Sequence, residues 1–186
     1  IHSAKYRATN RVTLRTKAKL NPEGDAPIFG IVTRLAEQKG LDLICETFED
    51  LMSRGIQFVL LGTGDTRYES FFQKMASKYK GQIGIWLKFS EISSSLIYGG
   101  CDFFLMPSRF EPCGLGQMIS FRYGATPIVR KTGGLADTVI DTQGDTMSSN
   151  GFVFKKYESK AFLGAVDRAI QTYNHKPKLN AVRKNG

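Results

Sequence analysis

Cysteine, histidine and long apolar runs are scarce in this 186-residue chain, and each shortage closes off an explanation. The three cysteines, Cys45, Cys101 and Cys113, are odd in number and include no CxxC pair, and the only histidines are His2 and His175 at the chain ends. That pattern supports neither a disulfide framework nor a zinc site. No apolar segment approaches the ~18 residues of a membrane helix, and no n-region/h-region pattern marks a secretory leader. The expectation is a soluble chain from a reducing compartment. It starts at Ile1 rather than at a methionine, which fits a fragment of a longer protein.

Acidic residues are missing from both ends. Residues 1–19 carry six Lys/Arg and residues 175–186 carry four, with no Asp or Glu in either segment. The net charge of +9 therefore lies on the termini, and between them 16 basic residues face 17 acidic ones. A basic stripe for nucleic acid is not indicated, and a general polyanion binder is disfavoured. Residues 1–26 read as a basic linker or partly ordered arm in which Tyr6 and Leu14 are isolated apolar positions, with a turn at 21–24 (NPEG). Residues 175–186 read as a poorly ordered basic tail.

What is present is a series of strand-helix units, enough for one α/β core. Residues 28–33 (IFGIVT), 58–62 (FVLLG), 83–89, 103–106, 126–130 and 151–155 are short apolar runs that read as strands. Between them apolar residues recur at helical spacing: Leu41, Ile44, Phe48, Leu51 and Met52, a helix ending at Gly55; Tyr68, Phe71, Phe72, Met75 and Tyr79, read as a core face; and residues 92–100. Residues 159–173 form a last helix with Phe162, Val166 and Ile170 on one face, and residues 141–150 read as a surface loop. This pattern predicts an α/β fold, a Rossmann-like six-stranded parallel sheet with helices on both faces, over residues 27–174.

The chemistry is concentrated in residues 103–138. A buried strand ends at Pro107 and Ser108, and a polar loop follows with Arg109, Glu111, Cys113, Gly114 and Gly116. The plan then repeats, with a second strand and a turn Thr132-Gly133-Gly134 into residues 135–140. Two successive units of this kind place both loops on one sheet edge, where open α/β folds bind ligands. Gly133 and Gly134 would let backbone N–H groups approach a phosphate at a helix start. Arg34 and Lys39 flank the end of the first strand and the start of its helix, where cations can neutralise a diphosphate. On spacing alone, solvated surface charges explain them equally well.

The combination of motifs is more specific than any one of them. SRFEPCGL (108–115), Tyr123-Gly124, Pro127 and TGGLADTV (132–139), preceded by RLAEQKGLD (34–42) and GTGD (62–65), resemble in order and spacing the carboxyl-terminal half of bacterial glycogen synthases and plant starch synthases. The resemblance runs from about residue 27 to residue 170. It implies the donor-binding half of a two-domain GT-B glycosyltransferase that moves glucose from ADP-glucose to an α-1,4-glucan with retention. It implies no metal, and the chain shows no DxD carboxylate pair to hold one.

The same resemblance assigns roles. Arg34 and Lys39 would grip the diphosphate, and Glu111 would sit beside the donor sugar. Gly62, Gly64, Cys113, Gly114, Leu115, Thr132, Gly133 and Gly134 would line the nucleotide sugar. Phe89 would lie on the adenine where relatives carry tyrosine. Glu111 also reads as an ordinary loop glutamate capping the next helix, and Cys113 as an inert thiol. Two departures stand out: Ile119 occupies the place of a ribose-binding glutamate of related transferases, and Gly116 that of a hydroxyl residue. The lysine-glycine-glycine loop and active-site histidine of the resembled enzymes belong to an amino-terminal domain, which would also carry the glucan acceptor surface. Location would be cytoplasmic in a bacterium and plastidial in a plant or alga. A sister transferase using another nucleotide sugar, and a non-catalytic nucleotide-binding module with basic tails, remain open readings.

Overall fold

The structure, a computed structural model, describes residues 4–22, 24–143 and 147–186. His2, Glu23 of the expected turn and residues 144–146 of the expected surface loop lie outside them. The elements run α1 (Ala4–Lys17), β1 (Ile28–Val32), a single 3-10 turn (Glu37–Lys39), α2 (Leu41–Glu46), α3 (Phe48–Ser53), β2 (Gln57–Leu61), α4 (Thr66–Lys78), β3 (Ile83–Trp86) and α5 (Glu91–Gly100). They continue with β4 (Phe103–Met106), α6 (Gly116–Tyr123), β5 (Thr126–Arg130), α7 (Gly133–Thr138), β6 (Phe152–Phe154), α8 (Ser159–Asn174) and α9 (Lys176–Asn185). The six strands form one sheet in the order β3-β2-β1-β4-β5-β6, and every pairing is parallel. The expected six-stranded parallel sheet is therefore the one observed. Its strand order reverses between β1 and β4, which defines the switch point.

Both faces of the sheet are buried, so its strands are apolar throughout rather than alternating. Phe29, Ile31, Phe58, Leu60, Phe103 and Leu105 join one core with residues of α2, α3, α4 and α8. Ile28, Val59, Leu61 and Phe104 join a second with Leu14, Ile97 and Tyr98 of α1 and α5. The stripe on α4 is a core face as expected, with Tyr68, Phe72 and Met75 buried. The single helix expected over residues 41–55 is two short ones. The Thr47 hydroxyl donates to the Leu43 carbonyl (2.8 Å) where the turn breaks, and Phe48 enters a ring cluster with Phe58, Phe71 and Phe72. The third strand ends at Trp86, so Phe89 lies in the loop beyond it.

Over the described residues, the basic linker and the poorly ordered tail are corrected: both are helices bound to the domain. Leu14 is fully buried on α1, and Leu179 and Val182 are buried on α9. Their arginines act as ties. Arg11 donates to Asp102, the Ala26 carbonyl and Tyr173, and Arg183 donates to the other oxygen of Asp102 (2.9 Å). Asp102 also accepts from the Ile28 N–H (2.9 Å), and its side chain is only 6% exposed. Arg7 donates to the Cys101 and Tyr123 carbonyls (2.7 and 2.9 Å). A buried carboxylate is stable only when so compensated, and sequence composition hides that the compensating cations come from the two ends.

Candidate functional site

At the switch point the loops after β1 and β4 lie against each other. Gly40 makes this possible: its φ is 77°, and a Cβ there would stand 2.2 Å from the Pro107 carbonyl oxygen. The approach brings Lys39 Nζ to Glu111 Oε2 at 2.7 Å, and Ser108 Oγ donates to the same oxygen at 3.1 Å. Glu111 is buried, yet its Oε1 has no protein partner among the described residues and is not sealed from solvent. The carboxylate is thus fixed on one side by a cation and a hydroxyl, and open on the other. It does not cap the following helix; Leu115 holds that position without a side-chain bond.

Two cavities open along this edge and share Val32 and Thr33. One, of about 180 Å³, is lined by Lys39, Glu111, Leu115 and Ile119, among others. The second, of about 380 Å³, holds Arg34, Leu61, Gly62 and Phe89. Phe89 is 89% exposed, and the Arg34 side chain has no hydrogen bond or ion pair among the described residues. Arg34, Lys39, Glu111, Leu115, Gly62 and Phe89 are thereby brought to one edge.

The other glycines do something the sequence did not reveal. A Cβ at Gly62 would stand 1.8 Å from the Thr33 carbonyl oxygen, and one at Gly64 would stand 2.3 Å from that of Leu35. These residues let the loop after β2 lie on the loop after β1, where the Leu35 N–H donates to the Thr63 carbonyl (2.9 Å) and the Asp65 N–H donates to the Leu35 carbonyl (2.8 Å). Gly133 and Gly134 likewise allow the start of α7 to touch the β4 loop: their Cβ atoms would each stand 2.0 Å from the carbonyl oxygens of Glu111 and Cys113. The Gly134 N–H donates to the Glu111 and Pro112 carbonyls (3.2 and 3.1 Å), so the N–H expected to meet a phosphate is already used here. Thr132 precedes α7 as its N-cap residue with no side-chain cap bond.

Gln117 was not singled out by its sequence context. It is fully buried, and its amide donates to the Cys113 and Gly114 carbonyls and to Thr138 Oγ1, fastening the loop after β4 to α7. Cys113 is exposed, whereas burial pushes the Cys45 and Cys101 thiols up to about 12. Arg109, its neighbour in sequence, pairs with Asp42. Among the described residues, no group of three or more His, Cys, Asp or Glu could hold a metal ion, and no helix is long and apolar enough to cross a membrane.

The family described as "Glycosyl transferases group 1" matches residues 13–186. The chain belongs to this family. Among curated relatives of this glycosyltransferase domain, the glycogen synthase of Desulforudis audaxviator is 49% identical over 168 residues, covering 90% of this chain and 33% of the relative. That of Fervidobacterium nodosum is 51% identical over 164 residues, covering 88% and 34%. The chain therefore spans about a third of the length of these relatives, and the expected resemblance to glycogen and starch synthases holds. Among solved structures, the catalytic domain of starch synthase IV from Arabidopsis thaliana, bound to ADP and acarbose, superposes with a TM-score of 0.89 at 37% identity, over 96% of this chain and 38% of that one. The C-terminal domain of a group 1 glycosyltransferase from Francisella tularensis shares the fold at 20% identity and TM-score 0.67, over 97% and 90%. The sheet is thus one half of a GT-B fold.

Proposed function

We propose that this domain binds ADP-glucose for a glycogen or starch synthase, which transfers glucose with retention to the non-reducing end of an α-1,4-glucan. The carrying observation is the half-engaged carboxylate at the switch point: Glu111 Oε2 is held by Lys39 and Ser108 while Oε1 is open toward solvent. Oε1 is then an acceptor for a glucose hydroxyl. Lys39 and Arg34 supply the preorganised positive charge that a leaving diphosphate needs, and they supply it without a metal in this reading. Phe89, which lines one cavity together with Leu61 and Val32, offers an apolar surface for a nucleobase. The backbone around Cys113, Gly114 and Leu115 would face the sugar, and Gly62, Gly64, Thr132, Gly133 and Gly134 set the height of the loops around it. With Ile119 in place of a ribose-binding carboxylate, the ribose contact has no assigned residue.

The reading is supported by the ADP-bound starch synthase with which the chain superposes. Closing a two-domain cleft orients an acceptor and excludes water, so glucan binding is assigned to a second, amino-terminal domain and the isolated chain should not elongate glucan. The site of action would be the cytoplasm of a bacterium or a plastid. Calorimetry should show ADP binding that weakens roughly tenfold or more in Lys39→Ala, the loss of one charge-assisted contact. ADP-glucose should compete and UDP-glucose should compete less well. Unchanged ADP affinity in Lys39→Ala would remove Lys39 from the site, and equal competition would point to another nucleotide sugar. Transfer of radiolabelled glucose to glycogen by this chain alone would overturn the division between domains.

A further inference from the structure

Lys39 comes from the 3-10 turn after β1 and Glu111 from the loop after β4, so something must hold the two segments in register. Among the described residues, the β1-β4 strand register is Phe29 with Phe103 and Gly30 with Phe104, at the end of the strands away from these loops. Above them the loops are joined by a side-chain cluster outside both cavities. Arg109 Nη2 donates to Asp42 Oδ2 at 2.6 Å and lies 3.5 Å from Glu37, so the β4 loop is tied to the first turn of α2 and to the 3-10 turn that carries Lys39. The Arg109 N–H donates to the Gln38 carbonyl (2.9 Å), and Gln38 Nε2 donates to the Phe110 carbonyl (3.3 Å).

The centre of this cluster is Tyr157, from the loop after β6. Its hydroxyl donates to the second oxygen of Asp42 at 2.5 Å. The Arg109 guanidinium lies 4.3 Å from its ring centroid and that of Arg130 5.5 Å, and Arg130 Nη1 donates to the Arg109 carbonyl at 2.6 Å. Burial, followed by the Asp42 hydrogen bond, pushes the phenol well above its ordinary range, so it remains a donor at neutral pH. Cation-π contacts and a charge-assisted hydrogen bond thus meet on one side chain that lines neither cavity.

We infer that Tyr157 is a positioning residue: with Asp42 and Arg109 it clamps the loops bearing Lys39 and Glu111, and thereby sets the geometry of the donor site. The inference rests on the ADP reading for its affinity arm only. A spin label on Cys113 reports loop order independently, because Cys113 is exposed while Cys101 is buried and Cys45 is partly buried with its thiol pKa pushed up to about 12. Tyr157→Phe keeps the ring and removes the hydroxyl; it should raise the ADP Kd about threefold, and Tyr157→Ala about tenfold or more. Both should mobilise the label, and Asp42→Asn combined with Tyr157→Phe should do little more than either alone, since the two act as one unit.

If the unmodified chain binds no ADP, the donor reading falls and label motion decides the clamp. If ADP binds but Tyr157→Phe leaves both affinity and label unchanged, the clamp is wrong. A mobile label with unchanged affinity, or fully additive losses in the double variant, would also overturn it. Should Tyr157→Ala fail to fold, Tyr157→Phe, which preserves the ring packing, carries the test alone.

Discussion

The two edges of the sheet hold their buried carboxylates in opposite ways. At the amino edge both oxygens of Asp102 are taken, by Arg11, Arg183 and the Ile28 N–H. At the carboxyl edge Glu111 has one oxygen engaged and one without a protein partner among the described residues. The side chains are similarly hidden, 6% and 10% exposed, so burial alone does not separate a structural carboxylate from a functional one. What separates them is the unused acceptor. A saturated carboxylate fixes chain segments, and a half-saturated one can still receive a ligand at little reorganisation.

That contrast can be broken by mutation. The largest effect expected is on stability: Asp102→Ala strands two partly buried guanidiniums and should cost about 3–5 kcal/mol, seen as a lower urea midpoint, while ADP affinity per folded molecule is retained. Equal loss of ADP affinity would mean that the edges are coupled. Gly134→Ala comes next, since its Cβ would stand 2.0 Å from the Cys113 carbonyl oxygen; forced shifts of this kind cost about 1–3 kcal/mol, and here they should also weaken ADP. Lys39→Ala should reverse the pattern of Asp102→Ala. Its stability cost should be only about 1 kcal/mol, because Glu111 keeps Ser108 and an open oxygen, while ADP affinity drops.

The smallest effect concerns acid. Burial alone would raise the Asp42 pKa, but hydrogen bonds from Tyr157 and Arg109 outweigh it and leave the group below its ordinary value. A depressed carboxylate contributes stability that is complete above its unfolded pKa of about 3.9 and is lost as pH falls through the folded value. Urea midpoints between about pH 5 and pH 3 should therefore fall less steeply in Asp42→Asn than in the parent. Parallel slopes would remove Asp42 from the acid response.

Where local pattern and tertiary role coincide, the sequence was sufficient. The short apolar runs became strands, and of the stripe Tyr68, Phe71, Phe72, Met75 and Tyr79 the residues Tyr68, Phe72 and Met75 are buried in the core; the ion pair of Lys39 with Glu111, 72 residues apart, was not among the expectations. Glycines were half legible. Their need for space was evident at Gly62, Gly64, Gly133 and Gly134, but a glycine beside a phosphate and a glycine beside another loop look alike in sequence, and the close approaches here are to carbonyls of neighbouring loops. The terminal helices were misread because few apolar residues anchor them and their arginines bind a carboxylate 91 and 81 residues away. Tyr157 was invisible for the same reason, its partner lying 115 residues upstream.

The strand order also bears on how the domain folds. Sheet pairs β1-β2, β2-β3, β4-β5 and β5-β6 each join strands consecutive within one half, so each half can assemble through single helical crossovers. Among the strand pairings of the described residues, only β1-β4 joins the halves, with Phe29 opposite Phe103 and Gly30 opposite Phe104. Closing that seam carries the largest loop-entropy cost of any strand pairing, and it is the step that brings Lys39 to Glu111. Docking of the two halves should therefore be the late event in folding, and the ligand edge should come into being only with it.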